Sequence, residues 1–258
     1  LFPFEVDIYR EYDIPVTYVG HPLAELIPLQ PDRAAARRRL GIGAGRRVLA
    51  LMPGSRESEI RLLAPRFLLA AQQLCQQDPD LLVLVPMVNP RRRAQFEAIL
   101  RAHPLPACQV LDVMPSQPPD EGAETAAWPI AWHVMEAADA VLAASGTATL
   151  EAALFKRPLV ISYVISPWMR RIMAWKSGQD APSLPWVGLP NVLARDFVVP
   201  ELLQEAATPQ ALAEASWRAL SDAEHARVVA DRFLSIHESL HRDTRSLAAQ
   251  AILDICHA

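Results

Sequence analysis

Apolar residues in this chain fall into short, almost unbroken runs separated by stretches with helical spacing. Strands are predicted over Val16–Val19, Val48–Met52, Leu81–Pro86, Cys108–Leu111, Ala140–Ala144 and Leu159–Val164. These runs lack polar alternation, as expected of strands in a parallel sheet covered on both faces. Helical patterns lie between them, over Arg61–Gln77, Pro90–Ala102, about Ala131–Ala138, and Thr147–Phe155. Strand and helix in alternation predict an α/β fold, a doubly wound Rossmann-like parallel sheet. From Pro209 the pattern becomes helical throughout, and Val229, Phe233, Ile236 and Leu240 form one apolar stripe.

Two segments interrupt this order. Residues Met114–Trp132 are rich in Pro, Glu and Gly and read as an inserted surface loop. Residues 166–186 contain Trp168, Met169, Arg170, Arg171 and Trp175, an aromatic and basic mixture suited to a lipid or membrane surface. A partly buried helix with snorkelling arginines would give the same pattern.

Composition narrows the class. The 258 residues are 51% hydrophobic with a formal charge of -4, which describes a globular protein without a general electrostatic reason to bind nucleic acid. Cys75, Cys108 and Cys256 show no paired spacing and read as thiols of a reducing compartment. No run reaches the roughly 18 apolar residues of a membrane-spanning helix, and no secretory leader is evident. The chain opens on Leu1-Phe2-Pro3 without an initiator Met, so a further N-terminal portion is expected upstream.

Chemistry concentrates at two strand-to-helix turns. Val48–Met52 stops at Pro53-Gly54, and Ser55 and Arg56 follow where a helix begins. Such a turn presents free N–H groups and a positive dipole end, and the arginine adds a fork suited to a diphosphate. An ordinary turn with a surface arginine remains the alternative for this segment alone. The second turn, Ser145-Gly146-Thr147, follows Ala140–Ala144 in the same way. Glu151 lies one helical turn further in, where a carboxylate can accept the vicinal hydroxyls of a ribose. Asn191, in the Pro-Asn turn at 190–191, could cap a helix or bond a ligand.

Several patterns mislead. Gly41-Ile42-Gly43-Ala44-Gly45 precedes a strand where a dinucleotide fingerprint must follow one, so it reads as a helix stop and turn. Arg37-Arg38-Arg39 and Arg91-Arg92-Arg93 read as solvated helix faces. His237-Glu238-Ser239-Leu240-His241 is a literal H-E-x-x-H, but it flanks the apolar stripe and little chain remains to supply a third zinc ligand.

Gly20-His21-Pro22-Leu23, Met52–Ile60, Val85–Asn89, Ala143–Glu151, Leu189–Leu193 and Pro200–Glu205, in that order and spacing, resemble the lipid-A-disaccharide synthase family. The resemblance runs over nearly the whole chain. It implies a GT-B fold, with residues 1–22 ending an N-terminal acceptor-side domain and hinge, 23–207 a Rossmann-like UDP-sugar-binding domain, and 208–258 C-terminal helices. It implies that Gly54, Ser55, Arg56, Ser145, Gly146, Thr147, Glu151, Asn191 and Gln204 surround the UDP-sugar. The implied reaction joins UDP-2,3-diacylglucosamine to 2,3-diacylglucosamine 1-phosphate, giving a β-1,6 disaccharide and UDP. No metal or other cofactor is expected, and the general base is expected in the N-terminal domain, so the chain alone is expected to be inactive. The resemblance further implies a cytoplasmic enzyme, peripheral on the inner membrane of a Gram-negative bacterium, forming a homodimer and binding no nucleic acid. A UDP-sugar 2-epimerase, another GT-B transferase, and a non-catalytic UDP-binding module are the alternatives. One departure is the length of Met114–Trp132.

Overall fold

The computed structural model describes residues 1–114, 128–165 and 185–256. Six strands form one parallel sheet: β1 (Val48–Met52), β2 (Leu82–Pro86), β3 (Cys108–Leu111), β4 (Ala140–Ala144), β5 (Leu159–Tyr163) and β6 (Glu201–Leu203). Their order across the sheet is β3-β2-β1-β4-β5-β6. Successive strands run outward from β1 in one direction and from β4 in the other. The boundary between β1 and β4, where Leu49 lies opposite Ala140, is therefore the point at which connections reverse. In open α/β sheets a crevice forms there, beyond the carboxyl ends of the strands.

Helices cover both faces. They are α1 (Pro3–Glu11), α2 (Pro22–Leu26), α3 (Arg33–Arg39), α4 (Glu57–Gln77), α5 (Pro90–Ala102), α6 (Ile130–Ala137), α7 (Thr147–Leu154), α8 (Leu189–Ala194), α9 (Pro209–Ser221), α10 (Ala223–Leu240) and α11 (Thr244–Cys256). Because alternate strand residues point to opposite faces, Leu49, Leu51, Val83 and Leu142 pack toward α4 and α9. Ala50, Leu84, Val141 and Ile161 pack toward the other layer, with Phe155 and the α10 stripe Val229, Phe233, Ile236 and Leu240. The helices after residue 208 thus complete both core layers of the sheet domain.

The run Val16–Val19, expected to be a strand, is not one. It crosses α10 instead. The Tyr18 hydroxyl donates to Ser239 O at 3.3 Å, and the His21 N–H donates to Leu240 O at 3.0 Å. The Arg242 guanidinium sits 4.8 Å from the Tyr18 ring centroid. Gly20, with φ +96°, makes this approach possible, since a Cβ there would come within 2.8 Å of Arg242 Cβ. The expected loop Met114–Trp132 also needs correction at its end. Ile130–Trp132 form the first turn of α6, and Trp132 is buried with Trp128 and Phe155, their ring centroids 5.5–6.1 Å apart. The rest of that loop, residues 115–127, lies outside the described residues, as do Trp168, Met169, Arg170, Arg171 and Trp175.

The amino-terminal edge of the sheet holds a dense ionic cluster. Asp139, just before β4, accepts from the Val48 N–H at 2.8 Å, from Arg37 at 2.6 Å, and from Arg33. Glu136 accepts from the Asp32 N–H at 2.9 Å and from Arg39 at 2.7 Å. Arg157 is buried among them, and burial pulls its guanidinium down to about 10. Arg37 and Arg39 are therefore not a solvated face: their side chains are only 10% and 9% exposed. The triplet in α5 fits that expectation only at Arg91, which is 81% exposed. Arg92 is mostly covered, and Arg93 pairs with Glu97 and Asp112.

Candidate functional site

A cleft of about 570 Å³ opens at the carboxyl ends of β1, β2 and β4. Its position follows from strand order, and its walls come from the two turns on either side of the reversal point. The β1–α4 turn supplies Gly54, Ser55 and Arg56; the β4–α7 turn supplies Ser145, Gly146 and Thr147; Glu151 lies deeper on α7. All seven were expected at one site from sequence, and the fold brings all seven together.

The first turn is built around Gly54, whose φ of +113° turns the chain out of β1 and whose missing Cβ leaves room for the Glu59 side chain. Glu59 Oε2 accepts from the Ser55 N–H at 3.0 Å and the Arg56 N–H at 3.1 Å. This is the reciprocal half of a capping box, with Glu at the third helical position. The Arg56 guanidinium reaches Glu59 Oε1 only at 3.4 Å and is 82% exposed, so it stays available to a ligand.

The second turn is left open. The Ser145 N–H is used by Ser162 O at 2.9 Å, but α7 has no side-chain cap. Among the described residues, no acceptor meets the N–H groups of Gly146, Thr147 and Ala148, three residues that line the cleft at the positive end of α7. Burial pushes the Glu151 carboxyl up from its ordinary value, opposed by a hydrogen bond from the Trp132 side chain. A half-buried carboxylate beside unfilled amide donors can take sugar hydroxyls while the amides take an anion.

Two acids of this cleft, and a tryptophan behind it, went unassigned in the sequence. Glu59 carried a visible signal, an acid three positions into a helix after a turn. Asp112, at the end of β3 and held by Arg93 at 2.7 Å, carried none, because its place depends on β3 pairing beside β2. Trp132, which bonds Glu151 from behind the cleft, was hidden inside the expected loop. Pro86, Met87 and Val88 add an apolar wall that a flat ring could lie against.

The structure does not bring Asn191 or Gln204 to the described cleft. Asn191 is fully buried; its amide donates to Val199 O and to Glu201 Oε1, both at 2.8 Å, and accepts from the Val199 N–H at 3.1 Å. These bonds fasten α8 to the β6 edge. Gln204 follows β6 and accepts from the Ile165 N–H at 3.4 Å. His237 is likewise committed: Nε2 lies 2.8 Å from Ala24 O and Nδ1 lies 2.6 Å from Lys156 Nζ, so neither nitrogen is free for zinc. No described helix is long and apolar enough to cross a membrane.

A family described as Lipid-A-disaccharide synthetase matches residues 1–255. The lipid-A-disaccharide synthase of Bordetella petrii is 64% identical over 257 residues, covering 100% of this chain and 64% of that protein. Its counterpart in Bordetella pertussis is 65% identical, covering 99% of this chain and 63% of that protein. The chain thus spans a little under two thirds of the length of the curated relatives it matches. Among solved structures, a sucrose-phosphate synthase from Thermosynechococcus elongatus superposes with a TM-score of 0.57 at 15% identity, covering 100% of this chain and 58% of that one. The C-terminal domain of a glycosyl transferase group 1 protein from Francisella tularensis gives 0.52 at 15% identity, covering 84% of this chain and 98% of that domain. At such identities these likenesses bear on fold, and the fold is the GT-B type.

Proposed function

The chain belongs to the lipid-A-disaccharide synthase family, and from that premise we propose that it forms the donor-nucleotide half of such an enzyme. Its cleft holds the uridine diphosphate of UDP-2,3-diacylglucosamine, and the acceptor is 2,3-diacylglucosamine 1-phosphate. The observation that carries the reading is the pairing, in one cleft, of the unfilled Gly146–Ala148 amides with Arg56 across from them and Glu151 one turn in. As the acceptor's 6-hydroxyl attacks the sugar's anomeric carbon, the bond to the diphosphate oxygen breaks and negative charge builds on the departing UDP. Helix dipoles at α4 and α7 and the Arg56 guanidinium stabilise that charge. Glu151 holds the ribose. The hydroxyl proton needs a general base, which we place in the part of the relatives that lies outside this chain.

On this reading the 258-residue chain binds UDP and turns over nothing until the remaining portion is joined to it. Asn191 acts by holding α8 in place, and Gln204 by closing the β6 edge. The enzyme works at the inner-membrane surface of a Gram-negative cell, where its acylated substrates reside, with the segment containing Trp168 and Trp175 as the contact. It does so as a homodimer and without a metal. Calorimetric titration with UDP tests the nucleotide reading: Arg56→Ala should weaken binding by about 1.5–3 kcal/mol, the loss of a charge-assisted contact. Equal affinity in the variant would sink the assignment.

A further inference from the structure

Glu59 stands in the cleft with no part in the nucleotide reading, yet it occupies groups that reading offers to phosphate. Its Oε2 takes the Ser55 and Arg56 N–H groups at 3.0 and 3.1 Å, and its Oε1 is the nearest anion to the Arg56 guanidinium at 3.4 Å. Gly54 is shaped to admit it, because any Cβ there would collide with the Glu59 side chain. The facing turn has no such occupant: among the described residues no side chain caps the start of α7, and a Cβ placed on Gly146 would meet nothing within 4 Å.

Resting on the UDP reading above, we infer that Glu59 is an internal competitor for the diphosphate, a carboxylate that must leave the first turn before phosphate oxygens can reach it. The Gly146 turn then accepts one phosphate without rearrangement, and the Gly54 turn accepts the other only in exchange for Glu59. Two anions cannot share two amide donors and one guanidinium without mutual repulsion. Glu59 thereby limits how tightly UDP is held and hastens its release, while its bonds keep the empty turn ordered. It is a positioning residue, acting through the turn.

The test is calorimetric titration of the 258-residue chain and its Glu59→Gln variant with UDP and with uridine, which carries no phosphate. The glutamine amide oxygen still accepts from the turn, so the fold is preserved, and uridine affinity reports this. UDP should bind about three- to tenfold more tightly to E59Q, with uridine changed less than about twofold. A UDP-to-uridine ratio that stays fixed or falls in the variant overturns the inference and reduces Glu59 to a helix cap. Should E59Q lose uridine binding too, Glu59→Asp, whose shorter arm withdraws from the amides, must show the same gain of UDP over uridine. A wild-type chain that binds neither ligand overturns the nucleotide reading and this inference with it, whereas normal UDP binding with an unshifted ratio overturns the inference alone.

Discussion

The two edges of this sheet handle charge in opposite ways. At the amino edge, Arg33, Arg37 and Arg39 pair with Asp139 and Glu136, and Arg157 is buried among them, so these charges are answered from within the chain. At the carboxyl edge, Arg56 and Arg91 are more than four-fifths exposed, their nearest acids lie at 3.4 and 3.7 Å, and the amides of the β4–α7 turn have no partner among the described residues. A buried charge left unpaired costs several kcal/mol, so the amino edge is bound to be closed and self-sufficient. An edge that keeps donors open gives up that stabilisation and gains the capacity to hold an anion from outside. Pairing therefore separates scaffold from site in this molecule better than residue type does, since both edges are rich in arginine.

That contrast can be broken most forcefully at Asp139. Asp139→Asn removes the counter-charge shared by Arg33 and Arg37, and urea denaturation should show a loss of about 3–5 kcal/mol. The ratio of UDP to uridine affinity should not move in the protein that remains folded; if it does, the two edges are coupled and the division fails. Arg56→Ala should do the reverse, with the binding loss given above and a stability change within about 0.5 kcal/mol.

Glu151 sharpens the comparison through pH. Burial holds its carboxyl above the ordinary 4.5, so across that window the folded chain keeps a proton the unfolded chain has lost. Its contribution to stability is thus largest at low pH and declines as pH rises through the window. Ligand binding runs the other way, because the ionised carboxylate is the better acceptor for ribose hydroxyls. Affinity for UDP-N-acetylglucosamine, whose diphosphate does not titrate there, should climb as pH passes the folded value. Glu151→Gln should flatten that climb, and an unchanged pH profile would remove Glu151 from the ribose. The smallest effect is expected at Arg91, where replacement by Ala should alter stability by less than about 0.5 kcal/mol because its pair with Glu57 is exposed. A larger loss would mean that the carboxyl edge carries structural charge after all.

Much of this was legible from the chain. Strands β1, β3 and β4 match the predicted runs residue for residue, because an unbroken apolar stretch between helical patterns has few other places to go. The six cleft residues of the two turns were equally legible, since glycine, small hydroxyl residues and a following helix define an anion-ready turn locally, and Glu151 lies one helical turn beyond the second. What escaped depended on neighbours distant in sequence. Val16–Val19 has the look of a strand, but its partner is α10 rather than a sheet edge. Strand β6 is three residues long and opens on Glu201, whose carboxylate is taken by the Val187 and Gly188 N–H groups and by Asn191. Arg37 and Arg39 resemble surface charges until Asp139 and Glu136 are placed beside them. Asn191 is recognisable as a special residue, but only the packing shows that its polar atoms face inward.

The strand order has a further consequence for how the molecule comes into being. Strands β1, β2 and β3 can join through one helical crossover each, α4 and α5, but Leu49 meets Ala140 only across about ninety residues of chain, a costlier closure of the kind that slows folding. Until it happens the two turns are on separate pieces and no cleft exists. During synthesis the early strands must wait for α6 and β4 to emerge, with β1 a sheet edge in the meantime, open to pairing with other chains. The central seam that creates the site is thus also the slow step of its assembly, and substitutions along Leu49–Met52 and Ala140–Ala143 should register in refolding rates.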